Sequence, residues 1–233
     1  MIILPNFKTG ETELRNLSDI NLIVGPNGIG KTTLLQSILE HTKINGMEFV
    51  FIEDYTCLDF RIRLIDIDNI INKQFLKYIQ IFDSSINDVF FERYLRELDI
   101  SFIKYNPFNS FKSQKFSALT EISIIILNAL ILKNGVLLLD NFGGNLSLDT
   151  MYKLWNILIE ISKMNNLQIF AVVQNMDTII SLNNTEQEIN SDHSISLYRL
   201  GKSVCEIDEG QLIAIHYNRA EIDTCIRHNI EMR

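Results

Sequence analysis

The sequence is poor in the residues that mark linkers, crosslinks and metal clusters. It has only three prolines and ten glycines in 233 residues, and it contains no Gly/Ser linker, low-complexity tract or internal repeat that would mark a domain boundary. Its three cysteines (Cys57, Cys205 and Cys225) are odd in number and far apart, and its four histidines show no metal-binding spacing. We therefore expect a single domain over residues 1–233, with reduced thiols and no zinc site.

Long apolar segments and an excess of basic residues are also missing. The most apolar stretch, residues 122–132, contains Ser123 and Asn128 and is too short to cross a bilayer. The first residues lack the basic and apolar regions of a signal peptide. The net charge of −8 argues against a protein that binds nucleic acid over its whole surface, although it allows a local basic patch. These absences predict a cytoplasmic protein that does not enter a membrane.

Short apolar runs alternate with longer segments of helical pattern. Near-continuous apolar runs are typical of parallel strands that helices cover on both faces, so the alternation predicts an α/β sheet. The predicted strands span residues 21–24, 47–52, 136–139 and 169–173, with further strands in 195–217 and a hairpin in 1–14. The predicted helices span residues 31–41, 119–133, 148–164 with Ser147 as N-cap, and 218–229.

A glycine-rich loop between a predicted strand and a predicted helix carries the clearest chemical signal. It matches the phosphate-loop pattern G-x-x-x-x-G-K-[ST] without a mismatch. Glycines let consecutive backbone N–H groups face phosphate oxygens at the positive end of the following helix. Lys31 can reach the β- and γ-phosphates, and the Thr32 hydroxyl can bind Mg²⁺. The sequence predicts a site for ATP with Mg²⁺ formed by Gly25, Pro26, Asn27, Gly28, Ile29, Gly30, Lys31, Thr32 and Thr33.

An acidic residue at the end of another apolar run fits the same site. Residues 135–139 read Gly-Val-Leu-Leu-Leu and are followed by Asp140. A phosphate-loop protein needs a second group for Mg²⁺, which we expect on a buried strand beside the strand that precedes the loop. An N-cap or an ordinary surface aspartate is the alternative interpretation. We predict that Thr32 and Asp140 together hold the metal ion.

The phosphate loop, Asp140 and the segments around them resemble the ABC-type ATPases of the OLD (overcoming lysogenisation defect) group. The similarity runs in family order from LSDINLIVGPNGIGKTTLLQSILE through ISIIILNALILKNGVLLLDNF to KLWNILIEISKMNNLQIFAVVQN and the C-terminal segment, and it covers nearly the whole chain. The resemblance implies a P-loop NTPase of ABC type, with a mixed central sheet flanked by helices and a small helical subdomain at about residues 58–117. It also implies a homo-oligomer around ATP, or a complex with an effector such as a nuclease in antiviral defence.

Three positions depart from the pattern of that group. Asn141 occupies the position of the glutamate that polarises the attacking water, and Gln174 occupies that of a histidine near the γ-phosphate. The glycine-rich signature falls at residues 115–121, where both glycines are missing and Ser117 is either a remnant or an N-cap. Because an amide cannot accept the proton of water, we expect slow hydrolysis or none, and an ATP-binding regulatory or scaffold subunit.

Residues 101–117 leave a different function open. They contain no acid, and Lys104, Lys112 and Lys115 lie among five aromatic residues. This arrangement can bind single-stranded nucleic acid by stacking and phosphate contact, although aromatic side chains that pack in the core are the more ordinary explanation. The second hypothesis is an active DNA-linked ATPase whose missing catalytic residues come from another chain or another position, and a transporter ATPase is the third.

Overall fold

The computed structural model describes residues 7–9, 12–52, 93–94, 122, 125–126, 128–130, 132–144, 146–189, 195–205 and 210–232. Its strands are β1 (Phe7–Thr9), β2 (Thr12–Leu14), β3 (Ile20–Val24), β4 (Glu48–Ile52), β5 (Gly135–Phe142), β6 (Gln168–Val173), β7 (Ile195–Lys202) and β8 (Leu212–Asn218). Its helices are α1 (Lys31–Ile44), α2 (Leu148–Asn165), α3 (Met176–Ile189) and α4 (Arg219–Arg227). Apart from Arg93 and Tyr94, which are helical, the predicted subdomain at about residues 58–117 lies outside the described residues.

The larger of the two described sheets is mixed. Its order is β4-β5-β6-β3-β7-β8; the first five strands are parallel, and β8 runs antiparallel to β7. The β1–β2 hairpin forms a separate sheet and lies against β8, where Thr12 Oγ1 donates a hydrogen bond to Leu212 O at 3.0 Å. The predicted α/β fold with a mixed sheet flanked by helices is confirmed.

The neighbour of the loop-bearing strand β3 differs from the prediction. We expected the strand that ends in Asp140 to lie beside it, but β6 lies between β3 and β5, so that Ala171 pairs with both Leu22 and Leu139. An apolar run shows that a strand is buried on both faces, but it does not specify which strands flank it. Helix α1 packs across β4, β5 and β6, and this crossing brings its first turn to the end of β5.

The sheet is buried on both faces, and alternate residues of each strand feed opposite sides of the core. On β3, Leu22 belongs to the cluster that includes α2, and Ile23 belongs to the cluster that includes α1. Helix α1 buries Leu35 and Ile38 at helical spacing, and α2 buries Trp155. Each such large apolar side chain contributes about 1.5–3 kcal/mol when it is buried. The parallel strands are therefore a rigid platform for the loops at their carboxyl ends.

Helix α3 was not predicted from the sequence. Its buried positions include Thr178, Ser181, Asn183 and Thr185, so the apolar stripe that identifies an amphipathic helix is interrupted. The hydroxyls of Ser181 and Thr185 donate to the carbonyl oxygens of Thr178 at 2.9 Å and Ser181 at 2.8 Å. These bonds satisfy the hydroxyls within the helix, which allows a polar face to pack against α2.

Candidate functional site

The loop between β3 and α1 has a backbone conformation that favours glycine. Gly25 has a φ of 146° and Gly30 a φ of 103°, both in the range that side chains disfavour. A Cβ atom added to Gly25 would also lie 2.7 Å from the carbonyl oxygen of Leu200. The first bond of the α1 ladder runs from Leu34 N to Gly30 O at 2.9 Å. The loop therefore leads directly into the positive end of α1.

Lys31 is fixed against the loop that precedes it. The residue is only 8% exposed, and its Nζ donates to Gly25 O at 2.7 Å and to Pro26 O at 2.9 Å. Burial lowers the pKa of Lys31, while the negative charge of Asp140 acts in the opposite direction. The ammonium group is thus held at the loop by two carbonyl oxygens and lies within the electrostatic influence of Asp140.

Thr32 and Asp140 come from distant parts of the chain and are in direct contact. Thr32 Oγ1 donates a hydrogen bond to Asp140 Oδ2 at 2.7 Å. The other carboxylate oxygen, Oδ1, accepts a bond from the backbone N–H of Asn141 at 3.0 Å. Asp140 is only 7% exposed, so its carboxylate has a defined orientation. The two residues expected to hold Mg²⁺ are therefore brought together.

Asn141 lies in a bulge at the end of β5. Leu139 pairs with Ala171 and Phe142 pairs with Val173, so Asp140 and Asn141 together face a single residue of β6. Asn141 has a φ of 52°, a left-handed conformation that asparagine tolerates better than most residues with a side chain. A bulge of this kind bends the strand and redirects the side chains that follow.

Gln174 and Asn175 follow β6 at the neighbouring strand end. Gln174 is exposed. The Nδ2 of Asn175 donates to Gly143 O at 3.3 Å, and its Oδ1 accepts a bond from Thr178 N at 3.1 Å. Asn175 therefore ties the loop after β5 to the start of α3. Sequence analysis did not single it out, although an asparagine directly before a helix is an N-cap signal.

A groove between β1 and α1 adjoins the phosphate loop. Its volume is about 420 Å³, and its lining includes Phe7, Thr33 and His41. The rings of Phe7 and His41 meet edge to face, with 5.5 Å between their centroids. Of these three residues only Thr33 was predicted. The groove is lined by segments that are more than twenty residues apart in the sequence, so no local sequence pattern predicts it.

Other predicted features lie outside the described residues or receive no support there. Lys104, Lys112, Lys115 and Ser117, with the signature region at 115–121, belong to the part of the chain that is not described. Within the described residues, no group of three or more His, Cys, Asp or Glu side chains could hold a metal ion. None of the described helices is both long enough and apolar enough to cross a membrane.

Several solved structures resemble the fold. The archaeal ribosome recycling factor aABCE1, in complex with the archaeal ribosomal stalk protein aP1, matches with a TM-score of 0.53 and 13% identity over 97% of this chain and 46% of that chain. A structure named RNase-L Inhibitor matches with a TM-score of 0.53 and 13% identity over 95% and 45%. An ATP-binding cassette of an ABC transporter in its ADP conformation has a TM-score of 0.46 and 14% identity over 91% and 85%. The chain spans less than half the length of the first two, and the likeness to them concerns the fold alone.

A protein-family model agrees with this fold. The model, described as ABC transporter, matches residues 16–142, a span that contains the phosphate loop at residues 25–33 and Asp140. The sequence matches no curated protein, and the assignment to the OLD group stays a prediction. Because the family match covers more than half of the chain, the chain belongs to the ABC transporter family of P-loop ATP-binding domains.

Proposed function

We propose that the chain binds ATP with Mg²⁺ at residues 25–33, hydrolyses it slowly or not at all, and acts as an ATP-dependent regulatory or scaffold subunit. The observation that carries this proposal is a contrast at one edge of the sheet. Lys31, Thr32 and Asp140, which serve binding, are assembled and hydrogen-bonded. Asn141 and Gln174, which occupy the catalytic positions implied by the OLD resemblance, carry neutral amides.

Phosphate binding is assigned to the loop backbone and Lys31. An ammonium group has three N–H donors, and two of those of Lys31 are used by Gly25 O and Pro26 O. These two bonds fix the group and leave one N–H, which we assign to the β- and γ-phosphates. The N-terminus of α1 adds the positive end of a helix dipole.

Metal binding is assigned to Thr32 and Asp140. A hydroxyl that donates its proton to a carboxylate has its oxygen lone pairs available, so Thr32 can bind Mg²⁺ while keeping its bond to Asp140. Mg²⁺ is six-coordinate, and beside nucleotide phosphates it usually takes only one or two protein ligands and several waters. Asp140 then completes the site either directly or through a water.

The nucleoside is assigned to the groove between β1 and α1. Thr33 belongs both to the phosphate loop and to the lining of this groove, so a nucleotide whose phosphates occupy the loop can continue into it. The ring of His41, which is exposed and lies edge to face against the buried Phe7, supplies stacking surface of the kind that ligand pockets use. This placement adds His41 to the residues that we propose to contact ATP.

We expect slow hydrolysis because Asn141 and Gln174 carry neutral amides at the two catalytic positions. A positioned general base contributes about 10²–10⁴-fold to a rate, and the side chain of Asn141 can orient a water but cannot accept its proton. Gln174 can still donate a hydrogen bond to the γ-phosphate. Bound ATP then persists, and any oligomer that forms around it is long-lived, because a ligand that binds only the assembled state stabilises that state.

The OLD resemblance extends this proposal to a partner. By analogy we assign the chain to a homo-oligomer or a complex with an effector protein, such as a nuclease, that responds to the ATP-bound state in antiviral defence. A transporter cassette is the second candidate, and the ABC transporter family match favours it. The two differ in chemistry, because a transporter cassette must turn over ATP in each cycle whereas a scaffold retains it.

Calorimetry and turnover test the proposal together. The wild-type protein should bind Mg-ATP, Lys31→Ala should weaken binding about ten- to a hundredfold as a charge-assisted contact is lost, and Lys163→Ala, an exposed lysine on α2, should leave it unchanged. Turnover should stay far below the usual range of about 1–10³ s⁻¹, with or without added DNA. Absence of ATP binding by the wild type would refute the proposal, and brisk turnover would favour the transporter or DNA-linked alternative.

A further inference from the structure

The side chain of Asn175 bonds two separate parts of the structure, the first turn of α3 and the loop after β5. Its Oδ1 accepts hydrogen bonds from the backbone N–H of Thr178, at 3.1 Å, and from the Thr178 hydroxyl. Its Nδ2 donates to Gly143 O at 3.3 Å. The first pair of bonds caps α3, because residue 175 directly precedes the helix. The third bond, from Asn175 Nδ2 to Gly143 O, connects the start of α3 to the loop after β5.

An amide is needed to make both contacts. The oxygen faces two donors and the nitrogen faces a carbonyl oxygen, so only this orientation of the amide satisfies the three partners. A serine at residue 175 would keep an N-cap acceptor, since serine and asparagine are comparable N-caps. It would be too short to bond Gly143 O at the same time.

The two ends of this bridge are backed by the core. Thr178 is fully buried, and its carbonyl oxygen accepts a bond from Trp155 Nε1 at 3.1 Å. Gly143 packs so closely that an added Cβ atom would lie 2.7 Å from Thr178 Oγ1 and 2.9 Å from Met151 Sδ. The bridge therefore joins two segments that already have little room to move.

We propose that Asn175 is a positioning residue that holds the end of β5, which bears Asn141, and the turn that bears Gln174 as one unit facing the γ-phosphate. Gln174 is the residue directly before Asn175, and Asn141 lies two residues before Gly143. The proposal rests on the proposed function, because it assigns both segments to the γ-phosphate of bound ATP. It predicts that Asn175 affects the discrimination between ATP and ADP, which differ only in that phosphate.

The test compares Asn175→Ser with a matched change at another helix. Asn218 caps α4 in the same way, with its Oδ1 accepting from Glu221 N at 3.1 Å. Among the described residues its side chain makes no hydrogen bond to a strand-end loop, so Asn218→Ser is the control. Calorimetry with Mg-ATP and Mg-ADP gives the ratio of affinities. Amide exchange at Leu146, whose N–H bonds Gly143 O at 3.3 Å, reports the loop without nucleotide.

Asn175→Ser should lower the ATP-to-ADP affinity ratio about fivefold, the value of one hydrogen bond, with little change for ADP. The Leu146 amide should exchange faster while α3 keeps its protection. Asn218→Ser should change neither quantity. Asn175→Ala should lower the ratio to the same extent and also destabilise α3, because it removes the cap as well.

Two results would overturn the proposal. One is an unchanged ATP-to-ADP ratio in Asn175→Ser, which would make Asn175 a helix cap alone. The other is a wild-type protein that binds ATP and ADP equally. A wild-type protein that binds neither nucleotide would instead refute the proposed function, so the two failures are distinguishable.

Discussion

The hydroxyl of Thr32 donates a 2.7 Å hydrogen bond to the carboxylate of Asp140, although β3, which precedes the phosphate loop, and β5, which contains Asp140, are separated by β6. The contact exists because α1 crosses the sheet and starts above the end of β5. It places a hydroxyl oxygen and an acid at the same point beside the Lys31 ammonium. The magnesium site is thus proposed from an interaction between segments more than a hundred residues apart.

Thr32→Val should separate metal-dependent from metal-independent nucleotide binding. Valine keeps the branched shape of threonine but lacks the oxygen, so the affinity for ATP in the presence of a chelator should change little. The gain in affinity on adding Mg²⁺ should fall about tenfold or more, as expected for the loss of one charge-assisted interaction. Thr224→Val on α4 is the control. An undiminished Mg²⁺ effect in Thr32→Val would remove Thr32 from the metal site.

Asn141→Glu should change rate and stability in opposite directions. A carboxylate at this position can accept the proton of water, so ATP turnover should rise by about 10²–10⁴-fold. The φ of 52° at residue 141 suits glutamate less well than asparagine and should cost about 1 kcal/mol of unfolding free energy.

Asn141→Gln is the matched control for this experiment. It shares the length of glutamate and its backbone cost but has no base, so its stability should fall without a gain in turnover. A fast wild-type enzyme that gains nothing from Asn141→Glu would show that the catalytic position is elsewhere.

Gly143→Ala should destabilise the protein more than the same change at Gly210. The two glycines have nearly equal φ values of 78° and 81°, so both alanines suffer the same backbone strain. A Cβ atom at residue 143 would also meet Thr178 and Met151, whereas at residue 210 nothing lies within 4 Å. The extra loss should be about 1–3 kcal/mol in urea unfolding. Equal losses of unfolding free energy would mean that the loop after β5 can shift to accommodate the added Cβ atom.

Tyr198 should make the protein sensitive to alkaline pH. Burial raises the pKa of Tyr198 from 10.0 to about 12, against a smaller opposing effect of the nearby Ser196 hydroxyl. Because the folded-state pKa is the higher one, the stabilising contribution is complete below pH 10 and is lost as the pH rises toward 12. The melting temperature of the wild type should therefore fall more steeply across this interval than that of Tyr198→Phe. Parallel curves would exclude this residue as the cause.

Local signals in the sequence were sufficient for much of the fold. The helix predicted at residues 148–164 is α2, and Ser147 caps it by accepting a bond from Thr150 N at 3.3 Å. Such caps and apolar runs act over a few residues, so they can be read without knowing the tertiary structure. The phosphate-loop pattern is equally local, and its span proved to join β3 to α1.

Features that depend on distant residues were not predictable in this way. The position of β6 between β3 and β5 is set by packing across the sheet, and the bridge from Asn175 to Gly143 spans 32 residues. Helix α3 escaped prediction because its buried face contains hydroxyls, including that of Thr178, rather than an apolar stripe. The bulge at Asn141 depends on how β5 pairs with β6, and the sequence of one strand does not specify this register.

The contact between the hairpin and β8 has a consequence for association between molecules. In the described sheet β8 is the outer strand next to β7, and an outer strand can extend into a second molecule through its backbone N–H and C=O groups. The Thr12 hydroxyl already occupies the carbonyl oxygen of Leu212 at the start of this strand. The hairpin thus covers part of the outer edge of β8 and leaves less of it for pairing with a second molecule.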